Sequence, residues 1–180
     1  MENSISAFIL IIATLMIGLT AFAITSVFTA QQYNNVQVQN QAEDVANGLY
    51  ISYAGSTSNG YPLTVYDFNY HKQLFFTVFY VPNVFENDTQ YLTPQFAYTI
   101  KGQILYPMIN INYTKVQTTT LYYTNLNLMY QGNVTLWEIP SLSSPAPIII
   151  TTEKLPNYTP IILFFVQLQN KYIEVGYEWL

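Results

Sequence analysis

The sequence predicts an α+β arrangement: a long hydrophobic N-terminal helix followed by an all-β, antiparallel, immunoglobulin-like sandwich head. Residues 7–30, "AFILIIATLMIGLTAFAITSVFTA", contain neither charge nor proline. No proline occurs before Pro62, so nothing in the first third of the chain forbids a continuous helix. From there onward, short runs of Val, Ile, Tyr, Phe and Thr are interrupted by Pro, Asn and Gly roughly every eight to twelve residues, the spacing of an all-β domain.

Each element has its own justification. At about 1.5 Å per residue the apolar run reaches about 36 Å, more than the roughly 30 Å of a bilayer's hydrocarbon core. Val38, Ala42, Val45 and Leu49 then follow at spacings of four, three and four, so a stripe continues after the apolar run ends. The helix is accordingly expected over 1–53, as membrane anchor or filament core. Residues 54–60, "AGSTSNG", read as a flexible joint, and 61–180 as the head.

Within the head, strands are expected at 63–68, 74–81, 96–100, 103–111, 120–130, 134–139, 147–152, 161–169 and 172–179. Lys101-Gly102 and Gln131-Gly132 suit two-residue hairpins, and Asn170-Lys171 suits one less well. "IILFF" is apolar on both faces and predicts a central strand. Two packed antiparallel sheets follow from this pattern.

Composition narrows the function. Only 8% of residues are charged, 17% are aromatic, cysteine is absent and the net charge is -5. The five basic residues, Lys72, Lys101, Lys115, Lys154 and Lys171, are scattered singly, which argues against nucleic acid as a partner. His71 is the single histidine, with Asp67 four residues earlier, and no "GxSxG" or Gly-rich phosphate loop occurs. No catalytic residue, cofactor or metal is therefore expected. A surface built from Tyr, Asn, Gln and Thr changes little when carboxylates are neutralised, which points to an acidic exterior.

Four Asn-X-Thr sequons, at Asn87, Asn112, Asn133 and Asn157, all follow the apolar run and mark glycosylation sites on an external head. Tyr and Phe on strands mostly fill a core; surplus tyrosines such as Tyr122, Tyr123 and Tyr130 are candidates for an outer, adhesive face. The competing reading of the N-terminus is a cleaved signal peptide, with "TAFA" imitating a small-residue cleavage site, although no basic residue precedes the run.

The segment "ISAFILIIATLMIGLTAFAITSVFTAQQ", with its small-residue spacing and polar "FTAQQ" exit, resembles the core helix of the archaeal type IV pilin and archaellin superfamily. The resemblance covers about the first third of the chain. It implies a helix held in the membrane before assembly and bundled with copies of itself afterwards, with β heads outward on a cell-surface filament.

Ala13, Thr14, Gly18, Ala21, Ala23 and Thr25 would let helices approach closely. A charge-free exit suits a helix that must leave lipid for a bundle, where a charge would need a partner. Family precursors carry a basic leader ending in Lys/Arg-Gly or Lys/Arg-Ala, and this sequence shows none. That departure implies either numbering from the mature end or a chain that is never processed. The second case resembles the archaellum accessory proteins F and G, whose helix stays in lipid while a β head binds a partner such as the surface layer.

Overall fold

The computed structural model describes residues 2–55, 57, 60–86, 88, 92–109, 113–152 and 155–180, with side chains from residue 5 onward. One long apolar helix is followed by a mostly β head, and the chain divides into two units, Met1–Val38 and Gln39–Leu180.

Helix α1 runs Glu2–Gly48. Where the apolar run ends, side-chain pairs one turn apart take over: the Gln37 amide donates to the Tyr33 hydroxyl at 3.0 Å, and the Gln39 amide to Glu43 Oε1 at 2.9 Å. Ala42 and Val45, both buried, continue the predicted stripe.

Leu49 does not continue it. Residues 49–53, expected to be helical, form strand β1 (Leu49–Tyr53). The change occurs at Gly48, which lies so close to Asp67 that a Cβ there would sit 2.7 Å from the Asp67 Oδ1. The Gly48 carbonyl accepts from the Phe68 N–H at 3.3 Å, and the chain leaves the helix already paired to the next strand.

That strand is β2 (Tyr61–Asp67), antiparallel to β1 in the register Leu49↔Asp67 to Tyr53↔Leu63. The expected joint at 54–60 therefore connects two paired strands of the head rather than helix to head. Gly55 (φ 84°) and Gly60 (φ 119°) supply its left-handed backbone. Ser56, Ser58 and Asn59 lie outside the described residues.

The remaining strands are β3 (Leu74–Pro82), β4 (Thr99–Ile100), β5 (Gln103–Ile104), β6 (Met108–Ile109), β7 (Thr114–Tyr122), β8 (Leu128–Ile139), β9 (Ala146–Thr151), β10 (Tyr158–Leu168) and β11 (Lys171–Trp179). Strands β1, β2, β9 and β6, in that order, form an antiparallel sheet. Strands β10, β11, β7, β8 and β3 close into a barrel, and β4 and β5 make a separate hairpin.

Antiparallel pairing is as expected, but the immunoglobulin-like sandwich is not what the pairing draws. The barrel closes through a short parallel contact, Tyr172↔Leu121 and Ile173↔Tyr122, that leaves no open edge between β11 and β7.

The core follows from strands apolar on both faces. As "IILFF" predicted, β10 is central, between β3 and β11. Phe75, Phe79, Leu121, Leu136, Leu163 and Phe165 belong to one buried cluster. The alternate residues Leu74, Phe76, Val78, Ile162 and Phe164 are equally shielded, as are Leu63, Val65, Ile148 and Ile150 of the four-stranded sheet.

Of the expected turns, Lys101-Gly102 is a hairpin, with φ of 53° and 78°. Gln131-Gly132 is not: both residues lie inside β8, where the register slips between Thr118↔Val134 and Thr120↔Gln131. Gly132 makes a bulge there, because the Tyr130 phenol crosses it where any Cβ would clash. The β10–β11 turn is Gln169-Asn170, one residue before the predicted pair, with φ of 47° and 62°.

Candidate functional site

The first unit exposes an apolar surface. Every described side chain from Ile5 to Gln37 is exposed, with Leu10, Ile17 and Phe22 at 70%, 71% and 72%. Covering a large aliphatic or aromatic side chain stabilises by about 1.5–3 kcal/mol. More than a dozen such residues make an uncovered helix in water untenable. By length and composition the helix can cross a membrane, which is a weak indication of an anchor.

Three hydroxyls on this surface already have partners within the helix. The hydroxyls of Thr14, Thr20 and Thr25 each donate back to a carbonyl one turn earlier, on Leu10, Met16 and Ala21, all at 2.8 Å. They can therefore leave water without losing a partner. Helical spacing brings Thr14, Gly18, Ala21 and Thr25 onto one face, while Ala13 and Ala23 fall outside it. Gly18 has nothing within 4 Å of the position a Cβ would take. No contact among the described residues demands a glycine there.

Asp67 does not engage His71: its Oδ1 accepts from the backbone N–H groups of Asn69 at 2.8 Å and Tyr70 at 2.7 Å, an Asx turn that starts the loop after β2. His71 is exposed, and its carbonyl accepts from the Ser141 hydroxyl. Among the described residues no group of His, Cys, Asp and Glu could hold a metal. Burial raises the Glu174 carboxyl to about 7.

The tyrosines expected on an outer face are half-buried instead. Tyr123 and Tyr130 pack against the core cluster, and Tyr122 lies under the Lys171 ammonium at 5.4 Å. Asn133 is exposed on β8, and Asn157 is exposed at a turn with φ of 66°. Asn87 and Asn112 lie outside the described residues.

Two clefts, of about 930 and 450 Å³, adjoin on the outer face of β7 and β8 and share Tyr106, Gln117 and Thr135. Sequence reasoning missed them, because the hairpin that walls the larger one meets β8 only through the fold.

No family model matches the chain, and comparison with curated proteins and with solved structures returns no match.

Proposed function

We propose that the chain is a structural subunit of an archaeal type IV pilus-like filament at the cell surface. Its helix sits in the membrane before assembly and packs against copies of itself afterwards. The head faces outward, carries glycans on its sequons and makes contacts with a surface layer or carbohydrate. In this reading the protein has no catalytic role and needs no cofactor or nucleic acid.

The observation that carries the proposal is the uncovered apolar helix that ends in Gln and Asn rather than in charge. A helix fixed in one bilayer gains from flanking cations. One that moves from lipid into a bundle of its own kind does not, and three of its hydroxyls, on Thr14, Thr20 and Thr25, are already bonded within the chain. The Thr14, Gly18, Ala21 and Thr25 face offers a close approach for a neighbouring helix.

The test is electron microscopy of fibres sheared from the cell surface, followed by peptide mass spectrometry. Abundant head peptides in the fibre fraction are expected. Recovery only from detergent-solubilised membranes would overturn the filament reading and favour an anchored accessory protein of the archaellum F/G kind.

A further inference from the structure

We infer that the trough on the outer face of β7 and β8 is a binding site for a neutral oligosaccharide. Its floor is a cross-strand polar row: Gln117 and Thr135 face each other, with the Gln117 amide donating to the Thr135 hydroxyl at 2.8 Å, and Asn133 stands two residues along the same face. Its wall is the β4–β5 hairpin and the segment after it, which bring Gln103 and Tyr106 over that row. The Tyr106 hydroxyl accepts from the Thr135 N–H at 2.9 Å, and its ring meets Trp137 edge-on at 5.4 Å, so the wall is pinned to the floor.

The chemistry of the lining selects the ligand. Among the described residues no charged one lines the larger cleft, and Lys115 alone does so in the smaller one. An ionic ligand in the larger cleft would leave water without a counter-charge from its lining. A purely apolar ligand would bury amides and hydroxyls without partners. A neutral sugar offers what both lack: hydroxyls that donate and accept, matched to Gln, Asn and Thr, and C–H faces that lie on tyrosine rings. The larger cleft falls within the range of about 300–1,000 Å³ usual for small-molecule sites, and the smaller one extends it lengthwise.

The sugar has two possible sources. Asn133 opens the sequon Asn133-Val134-Thr135 and itself lines the cleft, so a glycan attached there would start inside the trough. The other source is a glycan on a different molecule. The inference rests on the head being the contact-making part of the protein, and sugar binding by the solubilised chain is measured apart from fibre formation, so either reading can fail alone.

The test uses the full chain in detergent micelles, made in a host without N-glycosylation. Mannotetraose, cellotetraose and a galactose tetramer are titrated by saturation-transfer NMR, with tetragalacturonate as the charged control. Binding of at least one neutral tetramer is expected, with the charged control at least tenfold weaker. The exposed Gln103→Ala and Gln117→Ala changes should each weaken it several-fold while leaving the thermal midpoint in place.

The same titration on natively glycosylated chain separates the sources. Loss of binding together with a glycan on Asn133 in glycopeptide mass spectrometry assigns the site to the chain's own glycan, and unchanged binding assigns it to a glycan from outside. Failure of every neutral tetramer to bind the unglycosylated chain, equal binding of the charged control, or indifference to both glutamine changes would overturn the inference.

Discussion

Gly48 and Asp67 meet where the helix becomes a strand: a Cβ on Gly48 would lie 2.7 Å from the Asp67 Oδ1, the oxygen that also holds the N–H groups of Asn69 and Tyr70. The Gly48→Ala change should therefore destabilise the head by about 1–3 kcal/mol, through strain rather than lost contact. Because the same oxygen is the obstacle, Asp67→Ala in the same chain should relieve part of that cost. A double-mutant cycle in urea would show coupling of about 0.5–3 kcal/mol. Strict additivity would mean the close approach carries no strain.

The boundary of the independently folding head moves with this contact. A fragment beginning at Gln39 keeps Ala42 and Val45 buried and retains β1, whereas one beginning at Tyr61 loses both and exposes a flank of β2. At about 1.5–3 kcal/mol for each large side chain left uncovered, the shorter fragment should be several kcal/mol less stable. Denaturant midpoints of the two fragments would decide the matter, and equal midpoints would show that β1 contributes nothing.

Glu174 gives the head a pH dependence of definite sign. Burial raises its carboxyl from 4.5 to about 7, so between those values the folded state holds a proton that the unfolded state has released. Its contribution is fully present below about pH 4.5 and is lost as pH rises through about 7, with a slope approaching 1.4 kcal/mol per pH unit in between. Summed over that window it amounts to about 3 kcal/mol. Burial also raises the Glu178 carboxyl, which acts in the same direction. Replacing Glu174 by Gln should stabilise the head at pH 8 and flatten the profile, as thermal melts from pH 4 to pH 8 would record. This direction fits the acid-tolerant exterior expected from the scarcity of charge.

Gly18 separates insertion from assembly. Because no atom of the described residues lies within 4 Å of its Cβ position, Gly18→Leu should leave the helix intact and the protein in the membrane fraction. A helix–helix approach at that face would be blocked, so surface fibres should fall at least tenfold in a count by electron microscopy. Fibres at wild-type abundance would remove Gly18 from the packing face.

What could be read from sequence depended on how local the cause was. The helix was legible in its uncharged run, β10 in its two-faced apolar character, and the Lys101-Gly102 turn in its dipeptide. "LYISY" at 49–53 was absorbed into the helix, because Leu49 also fits a helical stripe and no proline marks the change. Its strand character comes from pairing with residues 63–67. Gln131-Gly132 imitated a hairpin because Gly serves a turn and a bulge equally well; only the Tyr130 ring lying across it distinguishes the two. Barrel closure through Tyr172↔Leu121 joins segments far apart in the chain, and no local pattern reports such a contact. The trough over β7 and β8 escaped for the same reason, although Asn133 and Thr135 alternate with Val134 and Leu136 along β8.

The most direct test of a self-packing helix exploits the absence of native cysteine. Gly18→Cys places one thiol on the small-residue face, and cells bearing it are treated with a membrane-permeant bismaleimide before fibres and membranes are separated. Covalent dimers in the fibre fraction are predicted, because packed helices bring two such thiols within the linker's reach. Monomer alone, at equal expression and full reaction with a monofunctional maleimide, would contradict the account.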